Sequence, residues 1–100
     1  MGSQLKIIRI EWDEDNIEHA EGHGIPYGEA HEVLTNAEPR VFKPNRRPVS
    51  ERRYFCYGSS DAGRLITVVF AYYPATNTAR PITAWNMTDT ERRIHEREAK

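Results

Sequence analysis

The sequence has a single cysteine and no long apolar run, and each shortage excludes a class of protein. Cys56 alone cannot form an intrachain disulfide, so the fold depends on packing and suits a reducing compartment. The apolar runs fall far short of the ~20 residues that a membrane-spanning helix needs, and no N-terminal stretch resembles a secretory signal. We therefore expect a cytoplasmic protein with no membrane partner.

Apolar side chains are scarce as well. Hydrophobic residues make up 38% of the 100 residues and charged residues 29%. A chain of this length can bury one modest core and has no room for two. We expect one domain over residues 1–100, with a small core and a strongly charged surface.

The formal net charge of −1 conceals an asymmetry along the chain. Residues 1–38 carry a net charge of −7, residues 39–53 a net charge of +5, and residues 54–100 a net charge of +1. Nonspecific affinity for nucleic acid comes mainly from Lys and Arg. The neutrality is a cancellation, and the basic middle segment indicates contact with a polyanion or with an oppositely charged partner.

Apolar and β-branched residues predict an antiparallel sheet of about four strands. The strands are expected over residues 5–12, 53–58, 65–73 and 80–85. Short turns rich in Ser, Asp, Gly and Pro separate the last three, which favours hairpins. The proline-rich residues 36–50 predict a loop, with one short extended piece at Val41-Phe42.

Three helices complete a predicted α+β fold, two near the N-terminus and one at the C-terminus. An acidic helix begins near Asp13 or Asp15 and stops at the glycines that flank His23. A second helix follows Pro26, and its apolar residues share one face to about residue 35. Residues 88–91 match a capping box, which predicts a final, very polar helix over residues 89–98.

Several local motifs in this order resemble the BrnT family of bacterial type II toxins, which are small ribonucleases with a RelE-like fold. The matching residues are Glu11-Trp12-Asp13, His23-Gly24, Gly28-Glu29-Ala30, Glu32-Val33, Glu51-Arg52-Arg53-Tyr54, Gly58, Gly63-Arg64-Leu65, Ile82-Thr83-Ala84, Met87-Thr88 and Glu91-Arg92-Arg93. The resemblance spans roughly residues 7–97. It implies an endoribonuclease that cleaves mRNA without a metal or cofactor. It also implies neutralisation by, and oligomerisation with, a cognate BrnA-like antitoxin, a DNA-binding protein of the ribbon-helix-helix type.

Two positions depart from the family pattern. Gly22 stands where relatives commonly have a basic residue before the His-Gly pair, and Trp85 stands where they usually have an Arg. The alternative hypothesis is a catalytically degenerate relative that only binds an antitoxin or a nucleic acid.

RNA cleavage by 2′-hydroxyl attack needs a proton acceptor, cationic donors on the phosphate and a proton source for the leaving oxygen. His23 lies in a glycine-bracketed turn and is the candidate for proton transfer, although a surface histidine is the plain alternative. Three arginines stand at or just before predicted strand starts and are candidates for a catalytic phosphate clamp: Arg53, Arg64 and Arg80. Ion pairing at strand ends is the alternative.

Further residues are candidates for RNA binding. Arg52 adjoins the first of these strands, and a basic loop with an aromatic residue nearby contributes Arg40, Lys43, Arg46 and Arg47. The loop fits RNA, an acidic antitoxin or simple solvation equally well. Alternation in the last strand puts Thr83 and Trp85 on the face opposite Ile82 and Ala84, so Trp85 stacks on a base, fills an antitoxin groove or packs in the core.

Neither a metal site nor a reactive thiol is expected. His19 and His23 have a spacing used by zinc ligands, but the helix is predicted to end first and a third ligand is missing. Cys56 lies within a predicted strand, where thiols are generally inert.

Overall fold

The central strand of the structure is an apolar segment whose seven inner residues, 66–72, are all buried. This computed structural model describes residues 5–36, 41–45 and 52–98. The elements in chain order are β1 (Arg9–Ile10), α1 (Glu14–Gly22), α2 (Tyr27–Thr35), β2 (Val41–Asn45), β3 (Arg52–Ser59), β4 (Leu65–Tyr73), β5 (Thr78–Asn86) and α3 (Asp89–Glu98). The α+β class and the three helices agree with the sequence prediction.

The sheet is mixed and has five strands, so the prediction of about four antiparallel strands was wrong in number and in the direction of β1, and it was right for the antiparallel pairing of the later strands. Its order is β1-β5-β4-β3-β2. β2, β3, β4 and β5 pair antiparallel in succession, while β1 pairs parallel with β5. Helices α1 and α2 carry the chain from β1 at one edge of the sheet to β2 at the other.

The additional strand is β2, in the segment predicted as a loop. Val41 pairs with Tyr57, and the pairing continues in register to Asn45 opposite Arg53. Pro44 lies within it. Because β2 is an edge strand, it can contain a proline at a position where the backbone N–H would point away from the sheet and make no hydrogen bond within it. The prolines of this segment therefore led to the prediction of a loop where the structure has a strand.

The first strand is shorter than predicted. Only Arg9 and Ile10 pair with β5, and backbone bonds from Ile8 and Glu11 to the carbonyls of Asn77 and Ala79 extend this contact. Apolar side chains in residues 5–12 still pack against the core. The apolar pattern therefore predicted which residues pack against the core, and it overestimated how many of them pair in the sheet.

The two faces of the sheet have different coverings. Helix α2 covers one face, where Ile66, Val68 and Phe70 of β4 pack with Val33 and Leu34 of α2 in the main core, and α1 packs beside it along the β5 edge. We call this the α1–α2 face. The opposite face, which we call the α3 face, carries a smaller cluster with these members: Val41, Phe55, Tyr57, Leu65, Met87 and Ile94. Every residue of α3 is at least partly exposed, so this helix is held by narrow contacts.

A β-bulge in β5 changes which face its first residues occupy. Val69 pairs with Thr83, but the next residue, Phe70, pairs with Pro81, so Ile82 is the extra residue of the bulge. Strand residues alternate between faces, and one extra residue reverses the alternation beyond it. Arg80 therefore pairs with Ala71 on the α3 face. An unbulged strand would place Arg80 on the α1–α2 face.

Asn16 fixes α1 against the edge of β5. Asp13 caps the helix, and its side chain and that of Asn16 form a reciprocal capping box. The buried Asn16 amide also donates to the carbonyls of Glu11 and Pro81, each at 2.9 Å. Because β1 ends at Ile10, Asn16 satisfies a β5 carbonyl that β1 does not reach.

We expect Asn16→Ala to lower the free energy of unfolding by about 2–3 kcal/mol, since it removes both donors and leaves two carbonyls without them. Asn16→Asp is the matched variant, because it keeps the acceptor for the Asp13 N–H but loses both amide donors. Urea denaturation followed by circular dichroism measures both. A loss below about 1 kcal/mol in both variants would contradict this role for the amide.

Candidate functional site

Two of the three arginines predicted to form a clamp lie together. Arg53 on β3 and Arg80 on β5 pair with the same residue, Ala71, on the strand between them. The three residues share the α3 face, and the small side chain of Ala71 leaves room above the sheet between the two longer ones. The resulting arginine pair is a cationic site on the exposed side of the sheet.

Arg64 lies at the other end of the sheet. It precedes Leu65, the first residue of β4, whereas Ala71 lies near the end of that strand. Neighbouring antiparallel strands start at opposite ends, so the starts of β3 and β5 face the end of β4. Arg64 Nε donates to Glu29 Oε1 on α2 at 3.1 Å. The structure therefore separates Arg64 from the arginine pair, contrary to the predicted three-residue cluster.

The arginine pair opens into a cleft of about 220 Å³ at the β5 edge of the sheet, where α1 packs along β5. We call it the arginine cleft, and the residues that line it are Asp15, Asn16, His19, Arg53, Ala71, Arg80, Pro81 and Ile82. Three of them come from successive turns of α1 and three from β5 around its bulge. Two guanidinium groups, an imidazole and a carboxylate thus share one water-accessible space.

An ion pair orients Arg80 at this cleft. Its Nη2 lies 2.6 Å from Asp13 Oδ2 at the start of α1. The pKa of the Asp13 carboxyl is lowered from its ordinary 3.8, first by the hydrogen bond from the Asn16 backbone N–H and then by that from Arg80. The same contact raises the pKa of Arg80. Both partners are therefore ionised at neutral pH, and the helix cap also positions the guanidinium group.

His23 and Trp85 meet at the other end of α1, away from the arginine pair. Their ring centroids are 6.4 Å apart in an edge-on arrangement, and Phe55 lies at the same distance from Trp85. Trp85 pairs with Thr67 on the α3 face, and Ala84 belongs to the main core on the other face. The predicted alternation is confirmed for Thr83, Ala84 and Trp85, whereas Ile82 is the bulge residue and lines the arginine cleft. The exposed His23 does not line the arginine cleft.

Glu91 of α3 holds the tryptophan in place. Its Oε1 accepts hydrogen bonds from Trp85 Nε1 at 3.0 Å, the Thr67 hydroxyl at 2.8 Å and the Thr88 backbone N–H at 2.9 Å. The last of these completes the predicted capping box, in which Thr88 accepts from the Glu91 N–H. One carboxylate thus caps α3 and fastens it to β4 and β5.

We expect Glu91→Ala to lower the free energy of unfolding by about 2 kcal/mol, because the fully buried Thr67 hydroxyl loses its acceptor and α3 loses its cap. Glu91→Gln keeps an acceptor oxygen in the same position and should cost less than half as much. Chemical denaturation of the two variants provides the comparison. Equal losses would show that the three hydrogen bonds are not the source of the effect.

The other predicted RNA-binding residues are dispersed. Lys43 lies 2.7 Å from Glu98 at the end of α3, and this contact is the largest cause of a lowered Glu98 pKa. Arg52 is exposed and pairs with Tyr72, a core residue of the α1–α2 face, so it alternates to the face opposite Arg53. Arg40, Arg46 and Arg47 lie outside the residues that the structure describes.

Tyr57 lies on the α3 face, in the cluster that Ile94 of α3 packs against. Burial is the main cause of a raised Tyr57 pKa, and the negative charges of Glu91 and Glu98 add to it. The phenol therefore stays protonated at neutral pH.

Two cleft residues carried little signal in the sequence. In the sequence, His19 stands out only for its zinc-ligand spacing with His23, and nothing distinguishes Asn16. Within the described residues, no three His, Cys, Asp or Glu side chains lie close enough together to hold a metal ion. Cys56 is buried. Searched over the same residues, no helix has the length and apolar character needed to cross a membrane.

Comparison with known proteins identifies one family. The family model described as "Ribonuclease toxin, BrnT, of type II toxin-antitoxin system" matches residues 12–91. This match runs from Trp12, before α1, to Glu91 in α3, and it includes both residues of the arginine pair. The comparison with curated proteins finds no match.

Proposed function

The chain belongs to the BrnT family of ribonuclease toxins of type II toxin–antitoxin systems, and we propose that it is an endoribonuclease that cleaves mRNA and is neutralised by a cognate antitoxin. The observation that carries this proposal is the arginine pair, in which Arg53 and Arg80 flank Ala71. The cleft beside it also holds a histidine. These are the group types that metal-independent cleavage by 2′-hydroxyl attack requires.

The spacing of the arginine pair suits a phosphate group. Neighbouring strands lie about 4.8 Å apart, so residues on β3 and β5 that face the same β4 residue are separated by about 10 Å at their backbones. Arg80 keeps N–H donors besides the one that contacts Asp13, and these, with those of Arg53, can contact one phosphate. Forked contacts of this kind stabilise the additional negative charge that develops on phosphorus during cleavage.

The basic middle segment extends this site in our proposal. Asn45, the last residue of β2, pairs with Arg53, so the strand ends at the level of the arginine pair. Arg46 and Arg47 follow directly in the sequence. We assign them, with Arg40, to contacts with the RNA backbone, while Arg52, on the opposite face of the sheet, lies outside this extension. Lys43 is partly neutralised by Glu98 and contributes less.

The partner we propose is a BrnA-like antitoxin with a DNA-binding ribbon-helix-helix domain, which forms an oligomer with the toxin in the cytoplasm. Membership of a type II toxin family supports this partner, since toxins of this type are paired with antitoxins. A protein that covers the α3 face would block the arginine cleft from RNA.

A second candidate function rests on Trp85. Relatives usually carry an Arg at this position, and here the indole is hydrogen-bonded to Glu91 and packed near Phe55 and His23. The position therefore has a packing role in this chain. If the missing arginine is indispensable, the protein is a degenerate relative that binds its antitoxin or RNA without cleaving.

We expect expression of the chain without a partner to arrest bacterial growth and to fragment cellular RNA within the same interval. Growth curves and RNA electrophoresis measure the two effects, and co-expression of a cognate antitoxin should reverse both. Normal growth with intact RNA at a high level of folded protein would contradict cleavage. That outcome would favour the degenerate relative.

We expect Arg53→Ala and Arg80→Ala each to reduce the RNA cleavage rate about 100-fold, as loss of one transition-state donor does elsewhere. Arg53→Lys should recover only part of the loss, because lysine keeps the charge without the fork. The control is Arg93→Ala, which removes an exposed arginine from α3. Cleavage of a labelled oligonucleotide by variants with unchanged circular dichroism provides the test, and full activity in either arginine variant would contradict the clamp.

A further inference from the structure

One of the four histidines lies in the arginine cleft, and it is not the one that the turn sequence favoured. His19 is exposed on α1 and lines the cleft with Arg53 and Arg80. His23 packs near Trp85 at the far end of the helix. The remaining two are His31, whose Nδ1 accepts from Trp12 Nε1 at 3.1 Å, and His95 on α3.

The surroundings of His19 hold it at the cleft. Asn16 precedes it by three residues, and its bonds to the Pro81 and Glu11 carbonyls fix this face of α1 against β5. Residues three and four apart in a helix share a face, so Asp15, Asn16 and His19 all point to the same side. The backbone that carries the imidazole is therefore rigid while the ring itself remains accessible.

On the basis of the proposed ribonuclease function, we infer that His19 is the catalytic residue that accepts the proton of the attacking 2′-hydroxyl. With a phosphate held by the arginine pair, this role requires the ribose on its 3′-ester side to lie toward the α1 wall of the cleft. Histidine is the side chain that takes up and releases protons near neutral pH. No other residue lining the cleft combines that property with solvent access.

The reaction is balanced as follows. The 2′-oxygen forms a bond to phosphorus while the bond from phosphorus to the 5′-oxygen breaks, which leaves a 2′,3′-cyclic phosphate. The imidazole of His19 takes the 2′-hydroxyl proton, water supplies a proton to the departing 5′-oxygen, and the imidazolium then releases its proton to solvent. Arg53 and Arg80 hold the phosphate oxygens, and Asp15, four residues before His19 on α1, lines the same cleft.

The test uses the full chain and a labelled single-stranded RNA oligonucleotide of mixed sequence. We expect His19→Ala to lower the cleavage rate at least 100-fold, which is within the range for loss of a general base. Added imidazole should restore at least tenfold, because the exposed position leaves space for it; a purely structural role would not be rescued in this way. The matched control is His95→Ala, and products of the wild-type reaction should end in 2′,3′-cyclic phosphate.

The outcomes separate this inference from the proposal on which it rests. If the wild-type protein cleaves RNA and His19→Ala stays within threefold of it, the assignment of His19 is overturned and the ribonuclease function stands. Loss of activity in His23→Ala with retention in His19→Ala would transfer the role to the predicted residue. If the folded wild-type protein cleaves no RNA, the proposed function fails, and His19 has no reaction to serve.

Discussion

The register of β4 with its two neighbours is the constraint on which the proposed site depends. This strand is buried on both faces along most of its length, and it pairs with β3 and β5 so that Arg53 and Arg80 both face Ala71. A slip of one residue would move one arginine to the opposite face. The packing of Ile66, Val68 and Phe70 into the main core prevents such a slip, since polar or strained contacts would replace them. Core packing therefore sets the distance between two surface charges.

The distribution of charge over the α3 face gives a physical meaning to the asymmetry of the sequence. The arginine pair occupies one end of this face, while Glu91 and Glu98 lie at the other. Both ends contain an ion pair, since Arg80 contacts Asp13 and Glu98 contacts Lys43. The acidic residues of α1 contribute as well, because Asp13 holds Arg80 in position. Acidic residues of the N-terminal part are therefore in contact with arginines that are distant in sequence, as in Asp13 with Arg80 and Glu29 with Arg64.

Local signals predicted the helices and the central strand, and nonlocal contacts account for what was missed. A few consecutive residues are enough to predict the helix caps at Asp13 and Thr88 and the apolar strand β4. The pairing of β2 and the parallel pairing of β1 depend on partners distant in sequence. Within the candidate site, strand starts identified Arg53 and Arg80, but the same reasoning included Arg64 because it ignored strand direction. The position of His19 in the site depends on the contact of Asn16 with β5, which no local sequence pattern predicts.

The bulge at Ile82 affects how this chain can be compared with its relatives. Residues before and after the bulge obey opposite rules of alternation, so Arg80 and Trp85 share a face although five positions separate them. A relative without the extra residue would present a different set of β5 side chains to the cleft, even with an identical motif on either side. Roles can therefore be transferred between family members along β5 only where the bulge is shared. In evolutionary terms, one inserted or deleted residue here changes the site more than most substitutions would.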